Sequence, residues 1–482
     1  MASRGILLSK SISIVSVLAL SAACAGVAFQ VNRSPSEVAA LLSEIIQVNT
    51  SNPPGNERKL DELLVSKFKP LGFEVEMIPT PDAAKAHFIA RLRGNGSHKP
   101  ILLAAHADVV GVEREKWSFD PFAGTIRDGF VYGRGALDFK GGLAVFVEAI
   151  MRLARNKVPL NRDVIFLSEA DEEGGKYNTM SLAESHWHKI DCEFALNEGG
   201  WIIKNPDGSV RYVSISTADK SSITLLITAL GTSTHSSMPR PDNAIFHLSR
   251  AMAKLSQFET KSHLIPSTKS FFDTLAKTSR PPMSTYFSDL VHSSDPAVVE
   301  RADKQISKDL LYHAIMRDTI APVLLQAGFR TNVIPGSATA TINMRTIPGT
   351  TPEDAIAEIK TALDDPEIEV SIAPATSAAA ARYRAIASRT KPSGTDTTLF
   401  AALTRGASRV WPNAPVTTYL FQAGTDAAAW RSRGIPVYGI YPYPITNDDL
   451  SRMHGNDERV SVQSLEEGAE MIYQTLLEVV SH

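Results

Sequence analysis

An α/β fold with a second, α+β block inserted into it is what the sequence predicts, and three observations predict it. Short apolar runs of buried-strand type recur at 101–105, 164–168 and 194–197, separated by segments with helical spacing, which is the ordering of a sheet flanked by helices. After Asp219 the texture changes to a different alternation of strand and helix patterns. The length of 482 residues also exceeds what one hydrophobic core usually organises, so two domains, or one enlarged by an insertion, are expected.

In chain order, apolar residues at Val38, Leu41, Leu42 and Ile45 keep helical spacing from about Ser34, and Asn52-Pro53-Pro54-Gly55 ends that helix. A second helix is expected over 57–68, strands over 73–78, 87–92 and 101–105, and a helix over 141–154. Beyond Asp219 the pattern predicts a strand at 223–230, a helix at 244–255 and a polar, helical stretch over 266–320. Strands at 323–329 and 338–345 flank the turn at Pro335-Gly336, followed by a helix at 351–363 and a strand at 368–372. The expected organisation is a discontinuous body of 34–217 and 379–482 with 218–378 inserted, the insertion ending in the Ala-rich stretch 374–381, and no solenoid-type repeat.

The first residues differ in kind, because Arg4 and Lys10 precede an apolar run over 12–25 that is too short for a comfortable transmembrane helix. The expectation is an export signal at 1–25, giving a periplasmic or secreted protein with no membrane-spanning segment once the signal is removed. Ala23-Cys24-Ala25 offers a small-residue cleavage pattern, while 20–24 is similar to a lipoprotein box, so lipid anchoring through Cys24 is the alternative. Cys24 and Cys192 are the two cysteines, so loss or acylation of Cys24 leaves no intrachain disulfide, and Cys192 reads as a small core residue. A net charge of -3 carries no basic excess for a phosphate backbone, which argues against nucleic acid and for a small partner.

The apolar run 101–105 ends in His106, and open α/β sheets place ligands at the C-terminal ends of strands. Strand alternation sends Asp108 to the same side, where its carboxylate is expected to hold the second imidazole nitrogen. Alone, the pair would read as a hydrogen-bonded core histidine. The glycine-rich turn 132–138 delivers Asp138 just before a helix, where by itself it would be an N-cap. The run 164–168 ends in Glu169, Asp171, Glu172 and Glu173, a cluster that repels itself unless water or a cation neutralises it. A third run ends at Glu198, and His454 in Met453-His454-Gly455-Asn456 gains meaning only from this company. His106, Asp138, Glu173, Glu198 and His454 would make a nearly complete ligand set for two adjacent divalent cations, and Glu172 a proton acceptor for the water they activate.

With these motifs in hand, the chain resembles the M20 family of metallopeptidases, which includes aminoacylases, carboxypeptidases and dipeptidases. The resemblance covers nearly everything after the N-terminal segment and rests on His-x-Asp, Gly-Arg-Gly-x-x-Asp-x-Lys-Gly, Glu-Glu-x-Gly, a further acidic ligand and a late His. The exported start, the 132–135 turn and Glu198-Gly199-Gly200-Trp201 are most similar to the branch containing carboxypeptidase S and the secreted N-fatty-acyl-amino-acid synthase/hydrolase. Phe139 departs from the pattern, since many relatives carry a polar residue there.

The resemblance implies a three-layer zinc-peptidase catalytic domain with an inserted α+β lid of the dimerisation type, and hence a homodimer formed through the lid. It implies that one cation takes His106 and Glu198, the other takes Glu173 and His454, and Asp138 bridges them. Two Zn²⁺ suit this set, with Co²⁺ or Mn²⁺ as substitutes, because about +4 of metal charge meets about -4 from three carboxylates and a shared hydroxide. Glu172 becomes the general base. In the segment 231–237 (Gly-Thr-Ser-Thr-His-Ser-Ser), His235 becomes the oxyanion-stabilising lid histidine, often acting across a dimer interface; the residues alone read as a surface loop. Asn332 and Arg345 become lid contacts to the substrate, and Gly424-Thr425-Asp426 a loop whose amides bind its carboxylate, with a plain turn as the alternative.

The activity so implied is hydrolysis of a peptide or N-acyl amino acid at an amide next to a free carboxylate. Carboxypeptidase or dipeptidase action and N-acyl-amino-acid hydrolysis or synthesis both stay open. A non-catalytic ligand-binding protein that keeps the fold is a remote alternative. A phosphoesterase is disfavoured, because no extra basic cluster accompanies the motifs to clamp phosphate.

Overall fold

Along the strand Ile101–His106 every side chain is buried, and alternate residues enter two different cores: Leu103 and Ala105 face one, Leu102 and Ala104 the other. That division makes the body three-layered, because a strand covered on both faces needs apolar residues at every position. The computed structural model describes residues 36–375, 378–387 and 389–481. The expected signal at 1–25, with Cys24, lies outside the described residues.

Eight strands form the main sheet, in the order Glu74–Pro79, Ala86–Leu92, Val164–Glu169, Ile101–His106, Phe194–Lys204, Val437–Ile445, Val210–Asp219 and Val416–Phe421. The central neighbours Ile101–His106, Val164–Glu169, Phe194–Lys204 and Val437–Ile445 run parallel, so their C-terminal ends gather on one side. Helices Glu37–Gln47, Lys140–Arg155, Thr398–Val410 and Val462–Val480 fill the larger core, and Glu37–Gln47 buries Val38, Leu41, Leu42 and Ile45, as its spacing predicts, with Ile46 beside them. The opposite face is covered by Met180, Leu182, Ile190 and Trp430, together with Cys192, which is a free, buried thiol.

The strand expected at 194–197 runs on through Lys204. Gly199 and Gly200 look like a stop, yet they let the backbone pass where a side chain could not: a Cβ on Gly200 would lie 2.1 Å from the Ser214 carbonyl oxygen. The register against Val437–Ile445 shifts at this point, next to Glu198.

Within the expected insertion, Thr319–Ala327, Ser337–Thr346, Ser221–Leu230 and Glu369–Ile372 form an antiparallel sheet in that order. Ile223, Leu225, Ile227 and Ala229 alternate inward under helices Ala244–Leu255 and Pro352–Leu363, giving the block its own core. The stretch expected as polar helix over 266–320 is four helices, Pro266–Thr278, Met283–His292, Pro296–Ile306 and Leu310–Met316, and the next strand already begins at Thr319. These helices join the large core instead of the lid core. The reason is aromatic: Phe271 meets Tyr212 and Tyr419 of the main sheet edge to face, with centroids 5.4 and 5.3 Å apart. The insertion by sequence therefore includes a segment that packs on the body. Ser36–His482 clusters as one unit, and no helix among the described residues is long and apolar enough to cross a membrane.

Candidate dinuclear metal centre

Two strands, the loops at 171–173 and 454, and one turn bring the ligand candidates together. His106 closes its strand in register with Glu169, whose following loop carries Glu172 and Glu173. Glu198 comes from the adjacent strand, Asp138 from the turn before helix Lys140–Arg155, and His454 from the loop after Asn447–Leu450. His106 Nε2 lies 3.1 Å from Asp138 Oδ1 and 3.6 Å from Glu198 Oε2. His454 Nε2 lies 2.9 Å from Asp138 Oδ2 and 3.3 Å from Glu173 Oε1. Asp138 thus turns one oxygen to each half. Ligand atoms of His106, Glu172 and Glu198 lie within 4.8 Å of one another, as do those of Asp138, Glu173 and His454.

The donor set fits a pair of divalent cations. Packed carboxylates are acceptors only, and something positive must sit among them. Burial pulls the His106 imidazole down, but Glu198 and Asp138 outweigh it and hold its pKa well above the ordinary value. Hydrogen bonds to Asp138 and Glu173 push His454 up to about 10. Burial alone would raise Asp138, yet the two imidazoles hold it below the usual carboxylate range. Burial and then Glu198 raise Glu172 well above that range, and burial raises Glu198. The same carboxylates that raise both imidazoles would favour metal charge in this position, and metal binding displaces protons from its ligands.

Asp138 is aimed by a residue that sequence reasoning missed. The fully buried Glu458 accepts the N–H groups of Gly135, Leu137 and Asp138 at 3.1, 2.7 and 3.1 Å, and pairs with Arg134 at 2.6 Å. Gly135 has a φ of 86° and no room for a side chain, since its Cβ would meet Val109 Cγ1 at 2.7 Å. Phe139 is buried beside the His106 ring, centroids 6.0 Å apart, so the departure from the family pattern lies behind the ligands.

Asp108 does not hold the imidazole through its carboxylate. His106 Nδ1 bonds to the backbone carbonyl of Asp108 at 2.9 Å, and the nearer carboxylate oxygen is 3.8 Å away. The strand ends at His106, so alternation no longer governs Asp108, whose side chain turns to the 171–173 loop. There it accepts the N–H groups of Glu172 and Glu173, both at 3.1 Å, and the Asn52 amide at 2.7 Å. Asp171 braces the same loop by accepting the N–H groups of Lys176 and Tyr177 and pairing with Lys85. The carbonyl bond still leaves Nε2 of His106 facing the cluster.

A cavity of about 420 Å³ opens over the cluster, with Glu172, Glu173, Glu198 and His454 on one side and Arg345, Arg384 and Ser222 among its other lining residues. Gly424 lines it too; His235, Asn332 and Thr425 do not. His235 is exposed on the short strand pair Thr234–His235 with Val333–Ile334, bonded to Ser237 at 2.8 Å and beside Asn332, whose carbonyl accepts the Ser236 N–H. Thr425 is buried, its hydroxyl donating to Asp219 at 2.6 Å. Arg384 and Tyr441 line the cavity without any motif to mark them. Tyr441 sits in the strand Val437–Ile445, a segment for which the sequence carries no stated expectation.

Residues 102–478 match the model described as Peptidase family M20/M25/M40. The chain is 28% identical over 387 residues to the Probable carboxypeptidase S-like 2 of Dictyostelium discoideum, covering 79% of this chain and 72% of that protein. It is 27% identical over 396 residues to the N-fatty-acyl-amino acid synthase/hydrolase of Homo sapiens, covering 81% and 76%. Among solved structures, the M20 family metallo-carboxypeptidase Sso-CP2 from Sulfolobus solfataricus matches with a TM-score of 0.66 at 17% identity, over 92% of this chain and 99% of that one, a likeness of fold.

Proposed function

The chain belongs to peptidase family M20/M25/M40, and from that premise we propose that it cleaves a peptide at an amide next to a free carboxylate, as a carboxypeptidase or dipeptidase. At the coarser level it is a metal-dependent amidohydrolase or peptidase. One observation carries the reading: Asp138 faces a different imidazole with each oxygen, at 3.1 and 2.9 Å. His106 and Glu198 would hold one ion and Glu173 and His454 the other, with Asp138 between them. When bound, two zinc ions, or Co²⁺ or Mn²⁺ in their place, supply Lewis-acid polarisation of the carbonyl and lower the pKa of water toward about 7.

The protein groups do the rest. Glu172 lines the cavity on a loop pinned by Asp108, where its carboxylate takes the proton of the attacking water and returns it to the leaving amine. Arg345 offers a planar fork for the substrate carboxylate, aided by the backbone at Gly424. His235 and Asn332 would act from the lid of a second copy. The outer edge of the lid sheet supports that arrangement, because Val323, Leu324 and Leu325 are exposed on Thr319–Ala327 at 53, 56 and 70% and an unpaired apolar edge is a docking surface. Export follows in this reading from Arg4, Lys10 and the apolar run behind them; N-terminal sequencing of the secreted protein tests it.

A second reading, hydrolysis of N-acyl amino acids, is favoured by a 260 Å³ apolar groove lined by Ile223, Pro352, Ile372 and Ala385. Ser222 and Arg384 line both this groove and the cavity over the cluster. Rates on Gly-Leu, N-acetyl and long-chain N-acyl amino acids, each with and without chelator, separate the readings. Chelator-sensitive cleavage of Gly-Leu supports peptidase action, preference for acyl chains supports the second, and no turnover of any substrate by zinc-loaded protein points to a binding protein.

A further inference from the structure

The strand Val437–Ile445 brings a phenol into the ligand cluster. Tyr441 is 1% exposed, and its hydroxyl lies 2.9 Å from Glu198 Oε2 and 3.0 Å from Asp138 Oδ1. These are the two oxygens that also face His106 Nε2. The ring has little freedom to leave, since it stacks on Trp201 with centroids 4.3 Å apart at 17° and meets the edge of Phe139 at 5.0 Å. Tyr441 also lines the cavity over the cluster.

Geometry gives that hydroxyl a task. A carboxylate can present either oxygen to an ion, and a fixed donor on one side decides which oxygen turns inward. The phenol has one proton for two acceptors, so while it donates to one carboxylate its own lone pair faces the other at about 3 Å. Such a contact is tolerable when positive charge lies beside both oxygens, which is the position His106 and an ion would share.

We propose that Tyr441 is a positioning residue of the metal centre: its hydroxyl fixes Asp138 and Glu198 so that each turns one oxygen toward the ion held with His106. This rests on the reading that these carboxylates hold an ion. Tyr441 has no corresponding contact with Glu173 or His454 among the described residues, so it reaches the second ion's ligands only indirectly, through the shared Asp138.

The test is stepwise zinc binding by the full chain after metal removal, measured in competition with a chromophoric chelator. Tyr441→Phe keeps the ring on Trp201 and deletes the hydroxyl. One of the two dissociation constants rises by about 10 to 100-fold, the usual effect of losing a partner of a metal ligand, while the other changes far less. Unchanged constants in a folded variant overturn the role of Tyr441. Failure of the unaltered protein to bind zinc sinks the metal centre itself, a separate result. If the variant does not fold, zinc titration of the unaltered metal-free protein decides by tyrosine absorption: a perturbation saturating with one ion supports the proposal, and none overturns it.

Discussion

Asp108 Oδ1 accepts the backbone N–H of Glu172 at 3.1 Å. A side chain expected to orient a histidine instead holds the segment that carries the candidate base, while its backbone carbonyl takes over the imidazole. One residue therefore sets the geometry of both His106 and Glu172.

Asp108→Asn keeps the shape of the side chain but opposes an amide N–H to one of the two backbone donors. The loop shifts, and a misplacement of about 1 Å costs about 10²-fold in kcat. Zinc content stays near that of the unaltered protein. Kinetics beside metal analysis check this; full turnover in the variant removes Asp108 from loop control.

Glu172→Gln removes the proton acceptor and leaves the ligands in place. Turnover falls by about 10² to 10⁴-fold with two zinc ions still bound. Substantial activity at full metal content takes the proton-transfer role away from Glu172.

His235→Ala lowers kcat by about 10² to 10³-fold, as loss of an oxyanion donor does. If the histidine acts from a second copy, mixing the His235→Ala and Glu172→Gln proteins under conditions that exchange subunits restores part of the activity. Each hybrid then contains one site with both groups intact. No recovery from demonstrably mixed dimers places His235 within its own chain's reaction or outside it altogether.

Glu458→Ala strips the buried Arg134 of its partner and frees three backbone N–H groups in the turn that aims Asp138. Breaking a buried pair in this way costs about 3 to 5 kcal/mol of stability. Denaturant unfolding of the metal-free protein measures it, so that lost zinc does not enter; a change below about 1 kcal/mol contradicts the bracing role.

Residues at or just after the ends of apolar runs were legible in the sequence, and His106, Glu173 and Glu198 carry that signal, although only His106 closes its strand and Glu198 lies within one. Asp138 was legible through its glycine turn, and His454 only beside the others. The direction of Asp108 was not, since side-chain alternation lapses once the strand stops at His106. Glu458 and Tyr441 were hidden for a different reason. Their contacts join segments some 240 to 320 positions apart, and nothing local distinguishes a bracing carboxylate from a polar loop or a phenol in a buried strand from core. Helices 266–316 likewise read as part of the insertion until Phe271 is seen against Tyr212 and Tyr419.

Anomalous scattering at the zinc edge from crystals of the zinc-saturated protein locates the ions themselves. Two peaks flanking Asp138 are expected, one in contact with His106 and Glu198 and the other with Glu173 and His454. Ions bound elsewhere in a folded, metal-saturated protein, with these side chains free of them, would contradict it.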